Sequence, residues 1–246
     1  MLTPDWQKDV INESCVLRLQ AVYQRPEYES SLKVNDVSFA LNAGEVLTVQ
    51  VDPSTRTRSF ASLVQGIINP DAGDLLFLQQ RWSGSDYERH FFLRSLIGRV
   101  FEGQAWIESL NVDENVTLAA RHHGRSIEDI KVSVQDWLDR LGLERLINRR
   151  PAFVAPAILQ VHQWIRAFLS QPKLVILERP MQFLSENWFG KLLKSIEWIA
   201  SRGTAVLWLD SRPNLDQVDW KIPYHHVVAQ DGRFEIASEV NGGSDE

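Results

Sequence analysis

Apolar positions in the N-terminal third of the chain recur with a period of two. Val16 to Val22 and Leu32 to Leu41 carry alternating and β-branched residues, and Asn42-Ala43-Gly44 turns the chain into the apolar run Val46 to Val51. Runs of this kind, separated by turn residues, predict the strands of a β-rich lobe, the last of them buried. At Phe60 the rhythm becomes helical, with Leu63, Val64 and Ile67 at helical spacing. Asn69-Pro70-Asp71-Ala72-Gly73 stops this short helix before another strand at Asp74 to Leu78.

The middle of the chain is helical in pattern. Ser126-Ile-Glu-Asp129 is a capping-box signal for a helix that carries Ile130, Val134, Trp137, Leu138 and Leu141 on one face. A second helix, Ile158 to Leu169, repeats Val161, Trp164, Ile165 and Phe168, and Pro172 ends it. Leu174 to Leu177, bounded by Pro172 and Pro180, is short enough to be a strand buried on both faces of a parallel sheet. Ser185 is placed to cap a helix from Glu186 to Ser201, Gly203 suits its exit, and Ala205 to Leu209 supplies the next buried strand. Strands alternating with helices at this spacing predict an α/β fold with a mainly parallel sheet and a helical lobe over residues 103–170. Residues 1–15 read as a weakly ordered extension, and the polar, Gly-containing residues 239–246 as a disordered tail.

Composition narrows the chemistry. A chain of 246 residues, 44% of them hydrophobic, can bury the core of one large α/β domain. Its net charge of -6 gives no general attraction to phosphate backbones, so nucleic acid is not an expected partner. No apolar stretch is long enough to span a bilayer, and Met1 to Ser14 lacks the layout of a signal peptide, so a cytosolic location is expected. Cys15 is the only cysteine and reads as a buried structural residue; no metal-ligand spacing occurs, and no metal is expected. Several of the nine tryptophans fall on apolar stripes and read as core or interface packing. Arg149-Arg150 offers a contact for an acidic partner, against the ordinary reading of a solvated pair ahead of Pro151.

Several strings then carry a resemblance. Val34-Asn-Asp-Val-Ser-Phe39 with Asn42-Ala-Gly-Glu45, Gly66-Ile-Ile-Asn-Pro-Asp-Ala-Gly73, Ile97-Gly98 to Phe101, Leu110-Asn-Val-Asp-Glu-Asn-Val116, Leu141-Gly-Leu-Glu144 and Pro172-Lys-Leu-Val-Ile-Leu177 occur in order. Over residues 16–235 this order resembles the nucleotide-binding subunits of ATP-binding-cassette (ABC) transporters. The resemblance implies an ABC-type P-loop NTPase-like fold over residues 16–238, with a mainly parallel sheet core, an antiparallel β lobe and a helical lobe. Gln104 to Leu110 is also similar, faintly, to subunits of lipid-transport ABC systems.

The strings that carry chemistry in that family are altered here. Its phosphate loop, G-x-x-x-x-G-K-S/T, uses glycines to turn N–H groups onto phosphates and a lysine to reach them. Counting between Gly44 and Gly66 puts Val51 and Arg56 at the glycines, Thr57 at the lysine and Arg58 at the metal-binding hydroxyl; a shift by one residue puts Arg58 at the lysine and Ser59 at the hydroxyl. Arg56, Arg58 and Ser59 are the candidates for residual anion contacts. Glu102 stands at the Q-loop glutamine, and Val154-Ala155-Pro156-Ala157-Ile158 replaces the signature L-S-G-G-Q. Glu178 stands at the aspartate that ends the strand, Arg179 at the catalytic glutamate, Ser185 at the D-loop aspartate and Asp210 at the switch histidine. Arg179 stays protonated and cannot serve as a general base.

The resemblance therefore implies an ATPase fold without ATP hydrolysis. No cofactor is expected, and ATP with magnesium is at most a weak ligand. The leading expectation is a structural or regulatory subunit on a membrane permease at the cytoplasmic face of the inner membrane, paired with itself or a second ABC-type subunit. Two other readings stand beside it: an atypical nucleotide-binding ATPase or sensor with a rearranged phosphate site, and a free-standing regulator that competes with an active subunit.

Overall fold

The structure, a computed structural model, describes residues 14–82 and 86–238, and of residues 236–238 the backbone alone. The tail expected over residues 239–246 lies outside the described residues, as does the extension expected over residues 1–15 except at its end. There Cys15 already opens a strand.

Two sheets organise the described chain. The first is antiparallel: β1 (Cys15–Gln24), β2 (Val34–Asn42), β4 (Ala72–Phe77) and β5 (Gln80–Arg81) run in the order β2-β1-β4-β5. The second contains β3 (Val46–Gln50), β6 (Ile97–Val100), β7 (Leu174–Glu178), β8 (Ala205–Asp210), β9 (Tyr224–Gln230) and β10 (Arg233–Ser238), ordered β10-β9-β3-β8-β7-β6. All its neighbours are parallel except β9 and β10.

The central strands β7 and β8 are almost wholly apolar because both faces are covered. Along β7, Leu174 and Ile176 pack with the antiparallel lobe and helix α1 (Arg58–Val64), while Val175 and Leu177 join the helical side. β8 alternates likewise, with Ala205, Leu207 and Leu209 on one face and Val206 and Trp208 on the other. On the first face, Leu93 of α2 (Tyr87–Ser95) also packs. The second core is built by α3 (Val112–His122), α4 (Ile127–Leu141), α5 (Pro156–Phe168) and α6 (Phe189–Ala200).

Local signals explain several boundaries. The Ser126 side chain accepts from Asp129 N–H at 3.0 Å and starts α4, and Gly142 ends it at φ 65°. α5 begins two residues earlier than its periodicity predicts, because Pro156 takes the first helical position, where its missing N–H leaves no bond unmade. Ser185 makes no side-chain cap; a single 3-10 turn, Glu186–Trp188, precedes α6. Ile67 is 59% exposed because α1 has ended before the left-handed Gly66.

Gly98 fixes how α5 meets the sheet: a Cβ there would lie 2.0 Å from the Ala167 carbonyl oxygen. Gly98→Ala is expected to lower stability by about 2 kcal/mol through overpacking. Urea unfolding of the two proteins measures this, and equal midpoints would show that strand and helix can separate freely.

Candidate functional site

The C-terminal ends of β3, β6, β7 and β8 meet at one edge of the parallel sheet, where α/β folds place their ligands. The loop from β3 to α1 is anchored there. Val51 N–H donates to Asp210 O at 2.9 Å, Thr55 N–H to Asp52 O at 3.0 Å, and Arg56 N–H to Ser30 O at 2.7 Å.

Arg179 fills the inside of that loop. It follows β7 with φ 44°, a conformation rare for a side-chain-bearing residue, and its N–H donates to Leu209 O at 2.9 Å. Its guanidinium donates to the carbonyls of Asp52 at 3.1 Å, Pro53 at 3.2 Å and Thr55 at 2.8 Å, and to the Ser211 hydroxyl. Trp164 Nε1–H donates to Pro180 O at 3.0 Å and steadies the turn from the helical side. A phosphate cradle aims N–H groups inward. This loop aims carbonyl oxygens inward, onto a cation of its own chain.

Two carboxylates complete an internal network. Glu102 Oε1 forms an ion pair with Arg179 Nε at 3.2 Å, and its Oε2 accepts from Thr57 N–H at 3.1 Å. Thr57 is fully buried ahead of α1, and its hydroxyl lies 3.0 Å from Glu178 Oε2 and 3.2 Å from Glu102 Oε2. It carries one proton and so donates to one of them at a time. Glu178, also fully buried, receives Arg99 Nε at 2.7 Å. Arg99 reaches on to Gln65 Oε1 at 2.8 Å, to the Ser62 hydroxyl at 3.3 Å and to Arg58 O at 3.3 Å.

Two guanidiniums thus face two carboxylates, and the charges cancel within the site. Magnesium and ATP do not fit this arrangement. The loop from β3 to α1 turns carbonyls onto Arg179 rather than N–H groups onto an anion, and the buried carboxylate of Glu178 is already paired with Arg99.

The remaining candidates fall elsewhere. Arg56 and Arg58 are exposed, Ser59 is half-buried, and none of the three side chains joins the network. Asp210 caps its own turn, accepting from Trp208 Nε1–H at 3.0 Å and from Ser211 N–H at 2.8 Å. Ser185 lies on the segment leading into α6. Val154 to Ile158 opens α5, with Pro156 O accepting from the Gln104 side chain at 2.9 Å. The residue that sequence reasoning misses is Arg99: a cation at the centre of the four-residue strand β6 reads as a break in an apolar run.

Removing one member of the network strands another charge. Arg99→Ala is expected to cost about 4 kcal/mol by leaving Glu178 buried without its partner, and Arg99→Met with Glu178→Leu together less than either single change. Chemical denaturation of the three variants tests this; additive losses would contradict the coupling.

A buried histidine ties the neighbouring lobe together. His162 Nδ1 lies 2.8 Å from Ile158 O, while Nε2 accepts from Ile147 N–H at 3.3 Å, so the ring is held neutral. Burial pushes its pKa below 6.5, against the opposite pull of the Ile158 carbonyl and Asp113. Well above pH 6.5 neither folded nor unfolded His162 holds a second proton, and its contribution is fully present. As pH falls the unfolded chain protonates first, so stability declines until the lowered folded value is passed. Urea midpoints should therefore fall as the pH drops from about 7, less steeply in His162→Gln; a slope unchanged by the substitution would count against this role.

No family model matches the chain. Curated relatives do. The putative hemin import ATP-binding protein HrtA of Staphylococcus haemolyticus is 20% identical over 154 residues, covering 63% of this chain and 70% of that protein. The lipoprotein-releasing system ATP-binding protein LolD of Buchnera aphidicola subsp. Acyrthosiphon pisum is 24% identical over 172 residues, covering 70% and 75%. Among solved structures, a dimeric ATP-binding cassette in a post-hydrolysis state with ADP and Pi superposes with a TM-score of 0.79 at 18% identity, covering 92% of this chain and all of that one. An ATP-binding subunit of an ABC transporter gives 0.75 at 20% identity, covering 89% and 88%. The chain is a homologue of ABC transporter ATP-binding subunits and has the fold of their nucleotide-binding cassettes.

Proposed function

We propose that this chain is a non-hydrolysing ABC subunit, a structural or regulatory partner of a membrane permease that works without an ATP cycle of its own. The observation that carries the reading is the Arg179 guanidinium inside the loop of Val51 to Thr57, bonded to the carbonyls that close around it. Phosphoryl transfer needs a phosphate cradle, a metal and a positioned water. Here the groups at all three positions are committed to one another.

The surface expected to meet a permease is tied to the helical lobe by hydrogen bonds. Asn115 accepts from Ile107 N–H at 2.9 Å and donates to Ile107 O at 3.1 Å and Leu110 O at 3.2 Å, while Arg166 donates to Ala105 O. Desolvation lowers the Arg166 pKa to about 10, which leaves it charged at neutral pH. Among the described residues no helix is long and apolar enough to cross a membrane, so attachment to the inner face of a bilayer would run through the permease. Relatives named for lipoprotein release favour a lipid or other hydrophobic cargo, and the dimeric cassette favours pairing with a second ABC-type subunit. The sensor reading loses support because Arg56 and Arg58 stand outside the network.

Phosphate release from ATP and magnesium should stay at background for the purified chain and for Arg179→Glu, which restores a carboxylate without a lysine or inward N–H groups. The full-length protein should co-purify with a permease from detergent-solubilised membranes. Steady turnover abolished by Glu178→Ala would overturn the reading.

A further inference from the structure

The segment between α4 and α5 lacks helix or strand from Leu143 to Arg150, yet it is tied down on its inner side. Ile147 N–H meets buried His162, Ile147 O accepts from Asp113 N–H at 3.1 Å, and Arg149 O accepts from Val112 N–H at 2.9 Å. The Asn148 side chain bridges Asn111 and Asp113, each at 3.1 Å. A loop held this firmly presents its outer side chains in fixed positions, which lowers the entropy lost on binding.

That outer side is basic and apolar together. Arg145, Arg149 and Arg150 are exposed, and among the described residues their side chains form no hydrogen bond or ion pair, although the chain as a whole carries a charge of -6. Arg145 and Arg149 rim a groove of about 460 Å³ whose walls include Ile147, Phe153, Val154 and Ile158. Phe153 is 75% exposed and Ile158 43%. A solvated arginine pair needs no apolar groove beside it, and exposed apolar residues clustered beside fixed cations mark a contact surface.

We infer that this groove receives an acidic segment of a protein partner, which sets an aliphatic or aromatic side chain against Phe153 and Ile158 and Asp or Glu carboxylates against Arg145 and Arg149. Concavity favours a chain segment over the flat surface of an anionic bilayer, and the protein's net negative charge disfavours a long polyanion. None of the groove residues belongs to the Arg99–Glu178–Glu102–Arg179 network, so the groove and the closed phosphate loop can be tested separately.

The probe is a fluorescein-labelled peptide of alternating glutamate and leucine, followed by anisotropy against the full chain at low salt. Saturable binding is expected. It should weaken at least about tenfold in Arg145→Glu/Arg149→Glu and in Phe153→Ser, weaken similarly when glutamine replaces the peptide's glutamates, and stay unchanged in Arg121→Glu, an exposed arginine outside the groove. Thermal melting confirms that each variant is folded, since every substituted side chain is exposed. Absence of saturable binding, equal binding by the double variant, or displacement of the peptide by phosphatidylglycerol vesicles or by ATP would overturn the inference.

Discussion

The guanidinium of Arg179, closed within the backbone carbonyls of Asp52, Pro53 and Thr55, sets the character of the whole sheet edge. A loop whose carbonyls converge on a cation cannot at the same time turn its N–H groups onto an anion. The left-handed backbone of Arg179 costs on the order of 1 kcal/mol, and the surrounding bonds hold it there. Glu102 and Glu178 then face cations of the same chain, and Thr57 joins the two. The electrostatic balance of the site is internal.

Such a network constrains its own members. Each charge is tolerable because its opposite is present, so a change to any single member exposes an unpaired group. The fold survives independently, since it rests on the two-faced sheet of β3, β7 and β8 and the cores on either side. Architecture and chemistry are separable in this way because function resides in a few side chains grafted on a packed frame.

Reading from the sequence succeeded where local physics decides. The runs ending at Leu177 and Leu209 show as strands because burial on both faces demands uninterrupted apolar residues, and Ser126 shows as a cap because its bond is to a residue three positions away. α2 stays hidden because its buried side chains are His90 and Leu93 while Tyr87 and Phe91 are exposed, so its apolar residues do not mark the inner face, and β6 because Gly98 and Arg99 interrupt its pattern. The site was half legible. Set against the resemblance, the sequence leads one to expect that the family's lysine, glycines and catalytic carboxylate are absent. The partners of Arg179 are not legible there, since its guanidinium reaches carbonyls as far as 127 residues away in the chain, whereas sequence proximity points to Arg56 and Arg58.

Calorimetric titration of the purified full-length chain with ATP and magnesium addresses the closure of the loop on Arg179 most directly. A loop already closed on Arg179 gives no saturable heat up to millimolar nucleotide. Micromolar binding at one site per chain would mean that the guanidinium leaves the loop and that the phosphate cradle is still available.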